Sequence, residues 1–367
     1  MKLLIALAIV IFLYDLQDRL YRKYWNTNLS TRLSFSTELA DIGDSVTLSE
    51  VIENNKALPL PILYVKFKTS KTFHFDSEEN ANVTDHYYRS DAFSVLGRQR
   101  ITRQLHFKTT KRGYFTINEL QITSKNLFVT KQFTDVQQNH THLYVLPDKL
   151  NSEHFLPLSR MLWGDFYTRQ NQLEDPFAFR NVRPYQSFDT MNRINWKSTA
   201  HTGNLMVNQY QSTISGEVRI FLNLTPYQKA YAPELAEHAI NIAYTIGSQL
   251  VADNIDVSLY TNGIDGETEM PPVLPAGHGK DHPITLGKLL ARLDITKTEG
   301  DFLDLLATQA SPANQGIRYI IISTYRDNAL YDYFEMQQRE NAFFWIIPEL
   351  ESTEIKYHHE NLMKWNL

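Results

Sequence analysis

Residues 45–51 read Ser-Val-Thr-Leu-Ser-Glu-Val, and this alternation decides how the first half of the chain is interpreted. A period of two places alternate side chains on opposite faces of a strand. Residues 32–36 alternate in the same way, and residues 41–44 (Asp-Ile-Gly-Asp) supply a turn between the two segments. Because short segments of this kind recur up to residue 146, the sequence predicts a β-sandwich.

The last third of the chain has a different pattern. Residues 218–224 (VRIFLNL) form a continuous apolar segment, and residues 233–254 place their apolar side chains at helical spacing. Further apolar segments at 256–260, 317–323 and 342–347 are separated by helical patterns. Strands that alternate with helices in this way predict an α/β domain with a doubly wound, mostly parallel sheet.

The N-terminus carries an apolar run at residues 3–14 (LLIALAIVIFLY). No small-residue cleavage site follows it, and an extension through Leu20 would approach the length of a membrane span. Arg19, Arg22 and Lys23 follow the run, whereas only Lys2 precedes it. The positive-inside rule therefore predicts a single-pass cell-membrane protein with its soluble domains in the cytoplasm. The alternatives are a buried core helix and an uncleaved export signal.

Length and composition predict a globular protein of two or three domains, with 367 residues, 43% hydrophobic and 21% charged. The net charge of −5 argues against a nucleic-acid partner, and the absence of cysteine excludes disulfides and thiolate nucleophiles. The predicted division is a membrane anchor at 1–25, a β-sandwich domain at 26–147, a connecting segment at 148–215 and an α/β domain at 216–367.

The connecting segment contains residues 183–200, RPYQSFDTMNRINWKSTA. Their Arg-x-Tyr, the Asp that follows and the Ile-x-Trp-Lys resemble the signature of the bacterial family called domain of unknown function fifty-eight. This resemblance implies a membrane anchor, a β-domain and a C-terminal von Willebrand factor A-like (Rossmann-like) domain. It also implies a partnership with a MoxR-type AAA+ ATPase, or with its client protein, in the assembly of envelope or secreted complexes.

The signature is expected to serve as the partner-binding site of a non-enzymatic adaptor. If the segment is helical, Asp189 and Arg193 form an i,i+4 pair, and Trp196 offers an apolar platform to the nearby cations. The alternative is that the same cluster locks the connecting segment against the α/β domain, and both roles are compatible. The predicted partner-binding residues are Arg183, Tyr185, Asp189, Arg193, Trp196 and Lys197.

Von Willebrand A domains often bind a divalent cation through Asp-x-Ser-x-Ser after their first strand. Here the matching positions are Asn223, Thr225 and Tyr227, so the essential carboxylate is a neutral amide. Since a hard cation prefers charged oxygen ligands, the sequence predicts no metal and no cofactor.

Catalytic motifs are missing from the sequence. Residues 277–280 (Gly-His-Gly-Lys) lack the glycine spacing of a phosphate loop, and there is neither a Gly-x-Ser-x-Gly elbow nor a His-Glu-x-x-His helix. The prediction is therefore a protein without catalytic residues. The alternative is a hydrolase acting on cell-envelope material through the region of Asp189, Arg193 and Trp196.

Overall fold

A computed structural model of the chain describes residues 2–76, 81–84, 86–150, 174–186, 191–212, 217–226, 232–310, 317–338, 343–349 and 361–366. The chain forms two compact units, Met1–Asp148 and Lys149–Leu367. The predicted connecting segment, with its signature, falls in the second unit. The four predicted segments and their boundaries stay a prediction.

The first unit is a β-sandwich preceded by a helix. One sheet has the strand order β1-β3-β8-β5 and the other has the order β2-β10-β9-β4-β7-β6. Its elements are α1 (Lys2–Tyr24), β1 (Leu29–Phe35), β2 (Leu39–Ala40), β3 (Ser45–Asn54), β4 (Leu60–Thr69), β5 (Phe73–Phe75), β6 (Ala81–Val83), β7 (Tyr87–Val95), β8 (Gln99–Thr109), β9 (Gly113–Lys125) and β10 (Gln132–Val145).

The outer edge of β1 is closed by side chains of β10 instead of a further strand. Every second backbone N–H of β1 donates to a side-chain oxygen, so the unpaired edge groups are satisfied. The N–H of Thr31 donates to Gln137 Oε1 at 2.9 Å, that of Leu33 to Asn139 Oδ1 at 3.0 Å, and that of Phe35 to Thr141 Oγ1 at 3.1 Å.

Four charged side chains meet inside the sandwich. Arg89 and Asp91 on β7 are buried and form an ion pair with a Nε–Oδ2 distance of 2.6 Å. Arg103 on β8 reaches the same carboxylate, with 2.9 Å between Nη1 and Oδ1. Glu50 on β3 is fully buried beside them, and neither carboxyl oxygen has a hydrogen-bond partner among the described residues.

The predicted membrane anchor and the single-pass, cytoplasm-facing localisation are wrong. Within the described residues, no helix is both long enough and apolar enough to cross a membrane. The second half of α1 packs against the sandwich: Tyr21 is 2% exposed and donates from its hydroxyl to Pro59 O at 2.6 Å. Trp25 is also buried, and Asp18 pairs with Lys131 at 2.7 Å. Tyr21 and Trp25 therefore belong to the core of the first unit.

The second unit contains a six-stranded sheet of order β16-β14-β13-β18-β19-β20 and two ribbons, β11-β12 and β15-β17. Its strands are β11 (Glu174–Pro184), β12 (Met206–Ser212), β13 (Glu217–Asn223), β14 (Asp256–Thr261), β15 (Gly263–Asp265), β16 (Val273–Gly277), β17 (Leu293–Thr298), β18 (Ile317–Ser323), β19 (Phe343–Glu349) and β20 (Leu362–Asn366). Its helices are α2 (Trp196–Thr202), α3 (Ala232–Ala252), α4 (His282–Arg292), α5 (Phe302–Gln309) and α6 (Asn328–Gln338).

The six-stranded sheet is covered by apolar packing. Helices α5 and α6 contribute Phe302, Leu306, Leu330 and Phe334 to a cluster that includes Trp345 of β19. Helix α3 approaches α4 at Gly247, where an added Cβ would lie 2.5 Å from Leu286 Cδ2. An alanine at this position would require the end of the Leu286 side chain to move.

The predicted fold class, a membrane helix with a β-sandwich and a von Willebrand factor A-like doubly wound domain, is wrong. Strands outnumber helices twenty to six among the described residues, and α1 does not qualify as a span. The sheet of the second unit is mixed, because β16 runs antiparallel to β14 at its edge. Continuous apolar strands predict burial on both faces, but they do not specify an edge strand, extra ribbons or a particular family.

Candidate functional site

The described residues of the signature segment lie on and after the β11-β12 ribbon. Arg183 pairs with Val207 and Pro184 with Met206 in the ribbon, and Tyr185 N donates to Leu205 O at 2.9 Å. A 3₁₀ turn (Met191–Arg193) then leads into α2, whose first residue is Trp196. The segment is therefore anchored by backbone hydrogen bonds.

Helix α2 is short, so its ends depend on capping. Asn195 Oδ1 accepts from Ser198 N at 2.9 Å, and Asn195 Nδ2 donates to Asn208 Oδ1 at 2.6 Å. At the other end, Gly203 has φ = 72°, a left-handed conformation that glycine adopts without strain. Thr199 Oγ1 also accepts from Met206 N at 3.0 Å. These contacts fix the direction in which Trp196 leaves the backbone.

Three apolar side chains and one lysine are exposed in and near this segment. Trp196 is 67% exposed, Met191 is 68% exposed and Leu205 is 43% exposed, and Lys197 is exposed beside them. We call Met191, Trp196, Lys197 and Leu205 the Trp196 surface. Met191 and Leu205 were not singled out from the sequence, although their apolar character beside a predicted site residue is a usable signal.

The other predicted signature residues have different outcomes. Arg183 and Tyr185 are half-buried in and after the ribbon, and Arg183 Nη1 donates to Pro184 O at 3.1 Å. Asp189 lies outside the described residues, and the side chain of Arg193 does too, so their i,i+4 pair stays a prediction. No ring or cation stacking on Trp196 is found in the described part of the chain, where the platform was expected.

The carboxyl ends of the parallel strands hold a neutral hydrogen-bonded network at the predicted metal positions. Asn223 is buried; its Oδ1 accepts from Thr225 N and from Asn262 Nδ2, each at 2.9 Å, and its Nδ2 donates to Ser323 Oγ at 3.0 Å. Asn262 Nδ2 also donates to Thr225 Oγ1 at 2.8 Å. Tyr227 lies outside the described residues. Over the described ranges, no group of three His, Cys, Asp or Glu side chains could hold a metal ion.

Adding Mg²⁺ is therefore expected to leave the thermal unfolding of the wild-type chain unchanged, because the oxygen of Asn223 is neutral and already hydrogen-bonded. A ligand present at 100 times its Kd would stabilise the fold by about 2.7 kcal/mol, which calorimetry detects easily. Asn223→Asp should lower stability by about 1–3 kcal/mol without metal, since the donor to Ser323 is lost. A Mg²⁺-dependent rise in the wild-type melting temperature that Asn223→Ala removes would contradict this.

Two grooves on the first unit are lined by residues outside the predicted partner-binding set. One of about 560 Å³ follows the β1-β10 edge, and one of about 610 Å³ lies on the outer face of the larger sheet, near Lys66 and Tyr88. Neither groove is lined by a signature residue. The expectation of a protein without catalytic residues, and the hydrolase alternative, both stay predictions.

Comparison with known proteins identifies no family for this chain. No family model matches the chain, and no curated protein matches it. Among solved structures, a CARDB domain from Pyrococcus furiosus in complex with di-metal ions shares 10% identity, over 32% of this chain and 93% of that domain, at a TM-score of 0.22. A non-cellulosomal cohesin from Archaeoglobus fulgidus shares 12% identity, over 34% and 94%, at a TM-score of 0.23. The sixth cohesin of scaffoldin B from Acetivibrio cellulolyticus, in complex with a dockerin, shares 13% identity, over 31% and 99%, at 0.23. Likenesses this weak carry no argument about function.

The resemblance to domain of unknown function fifty-eight is wrong, and the transmembrane helix and the von Willebrand factor A-like domain that it implies are wrong with it. No family model matches the chain. The resemblance depended on one short segment. Several of its residues have local structural reasons to be where they are: Asn195 caps α2, Ile194 bridges to Val207, and Tyr185 joins the ribbon.

Proposed function

We propose that this protein is a non-enzymatic interaction protein that binds a protein partner through the Trp196 surface. The observation that carries the proposal is a tryptophan, 67% exposed, at the start of a helix that is capped at both ends. Tryptophan is the residue most enriched at the energetic centres of protein interfaces. A fixed helix keeps the entropic penalty of binding low, because the side chain is already presented before the partner arrives.

The charge around Trp196 indicates the chemistry of the partner. Residues 183–216 contain Arg183, Arg193 and Lys197 against a single acidic residue, Asp189. A partner that fits would offer an apolar pocket for the indole and acidic side chains at its rim. Charge of this kind at an interface increases the association rate and selects among partners.

The proposal does not depend on the predicted MoxR-type AAA+ ATPase or its client. That partnership was implied only by the family resemblance, and it stays a prediction. A hydrolase acting through Asp189, Arg193 and Trp196 stays an alternative, and it would require a deep pocket with convergent titratable groups.

Photo-cross-linking in the native host is the test. With benzoylphenylalanine at position 196, we expect a defined protein adduct, because its aromatic side chain takes the place of the indole in the partner's pocket. Trp196→Ala should cost about 2 kcal/mol or more of binding free energy, roughly a 30-fold change in Kd. Lys197→Glu should reduce the adduct strongly, since it reverses the charge that faces an acidic rim. Stability should change by less than about 0.5 kcal/mol, because Lys197 is exposed.

Met270 supplies the matched control, since it is 67% exposed on another part of the second unit. Benzoylphenylalanine at position 270 should give no adduct with the same protein. Equal labelling from positions 196 and 270, or a yield that Lys197→Glu leaves unchanged, would remove the role given to this surface.

A further inference from the structure

The turn between β9 and β10 exposes three consecutive apolar residues. Leu127 is 51% exposed, Phe128 is 55% exposed and Val129 is 46% exposed. Turns are usually built from glycine, proline, asparagine, aspartate and serine, which tolerate solvent and unusual backbone angles. We call these three residues the apolar tip.

The backbone of the apolar tip is strained. Val129 has φ = 59°, in the left-handed region that a β-branched residue rarely adopts. Glycine would meet this geometry without strain, so valine here works against folding. The exposed valine therefore gives the turn neither a buried side chain nor an unstrained backbone.

Asn126 holds the strained turn in place. It is fully buried, and its Oδ1 accepts from Thr130 N at 2.8 Å and from Lys131 N at 3.2 Å. Its carbonyl accepts from Val129 N at 2.9 Å, which closes the turn. Tyr14 of α1 adds a stacked contact to the Phe128 ring, with centroids 6.0 Å apart. The apolar tip is therefore fixed in one conformation while its side chains face solvent.

Exposed positive charge lies beside the apolar tip. Lys131 and Arg22 share the carboxylate of Asp18, at 2.7 Å and 3.4 Å. The two cations are 43% and 67% exposed, whereas the Asp18 side chain is only 7% exposed. The surface consequently presents cations outward, with their counter-ion beneath them.

From these observations we infer that the apolar tip is a second docking site, which inserts into an apolar pocket of a protein partner whose rim is acidic. A lipid bilayer would accept any apolar side chain, so a fixed, strained backbone would not improve binding to it. A shaped protein pocket binds a pre-organised turn more tightly, because less conformational entropy is lost. The site lies on the first unit, so it does not depend on the Trp196 surface and can stand or fail separately.

The experiment uses the full chain with benzoylphenylalanine at position 128, and at Leu96 as a matched control. Leu96 is 63% exposed and also lies in a turn between two strands of the first unit. We expect one defined protein adduct from position 128 and none from position 96, with the cross-linked peptide containing apolar residues beside aspartate or glutamate. With the purified partner, Phe128→Ala should weaken Kd at least tenfold, and Leu96→Ala less than twofold.

Val129→Gly separates binding from folding. It removes both the side chain and the strain, so the melting temperature should stay the same or rise while the Kd weakens at least tenfold. Leu127→Ser provides a second binding variant that leaves the stacked Phe128 and Tyr14 in place. Unchanged affinity in both variants would overturn the inference. An adduct with a second copy of the chain, no adduct at all, or binding only to phosphatidylcholine–phosphatidylglycerol vesicles would also overturn it.

Discussion

The wild-type β-sandwich is expected to lose stability as the pH rises from about 5 to about 8, and Glu50→Gln is expected to abolish that loss. Burial, followed by the nearby negative charge of Asp91, raises the pKa of Glu50 to about 8, against the lowering influence of Arg103 and Arg89. The folded state therefore keeps this proton over a pH range in which the unfolded chain has released it. The group contributes most to stability below pH 4.5, and that contribution disappears as the pH rises through 8.

The expected size of the effect is on the order of 4 kcal/mol, because each tenfold shift in proton affinity corresponds to about 1.4 kcal/mol. Glu50→Gln should unfold with nearly constant free energy across this range and exceed the wild type above pH 8. Hydrogen exchange of the β3 and β8 amides in the full chain, corrected for intrinsic exchange rates, measures this unfolding free energy at each pH. Glu53→Gln on the same strand is the control, since Glu53 is only part-buried and pairs with Arg100. If the free energy of unfolding depended on pH in the same way in the wild type and in Glu50→Gln, Glu50 would be ionised in the folded state.

Asn139→Ala is expected to destabilise the first unit by about 2–4 kcal/mol, because two buried hydrogen-bonding groups lose their partner. Asn139 is 4% exposed; its Oδ1 accepts from Leu33 N at 3.0 Å and its Nδ2 donates to Ile117 O at 2.8 Å. Removing the amide leaves a backbone N–H and a carbonyl without protein partners. Denaturant unfolding of the variant and wild-type chains measures the difference.

Gln137→Ala provides the comparison for that prediction. Gln137 makes the same kind of bridge, to Thr31 N and Leu29 O, but it is only part-buried, so water can replace it. Its replacement should therefore cost less than about 1 kcal/mol. If Asn139→Ala and Gln137→Ala lowered the free energy of unfolding equally, burial of the Asn139 amide would add nothing to the stability of the β1 edge.

The alternation of residues 45–51 predicted much of the first unit and also concealed its least ordinary residue. Val46, Leu48 and Ile52 are buried in the sandwich, as a period of two requires. Glu50 occupies the same face, and Val51 falls on the opposite one. A charged residue in phase with apolar neighbours is a visible anomaly, but only the structure shows that Asp91, Arg89 and Arg103 converge on it from two other strands.

The membrane and family predictions failed because a local sequence pattern does not determine which other elements pack against that segment. The apolar run at residues 3–14 looks the same before a span and before a helix whose second half packs on a domain. Tyr21 and Trp25 settle the question only through their contacts with the sandwich. Likewise, the pattern around Trp196 predicts a site, but the exposure of Trp196 depends on which other elements pack against it.

The usual turn patterns do not predict the apolar tip, because those patterns consist of polar residues, glycine and proline. Asn126 to Thr130 reads Asn-Leu-Phe-Val-Thr between two strands, without glycine or proline. That absence is the signal that sequence reasoning could have used. The strain at Val129 and the hydrogen bonds of Asn126 are properties of the folded turn.

The most direct test of the proposed function is a hydrogen-exchange footprint of the full chain, with and without the purified partner captured at position 196. We predict slower exchange in residues 191–206, which contain α2 and the Trp196 surface, and no change in residues 256–277 around the exposed Met270. Trp196→Ala should remove the footprint without altering exchange in the free chain. Protection elsewhere with residues 191–206 unchanged, or a footprint that survives Trp196→Ala, would contradict the proposal.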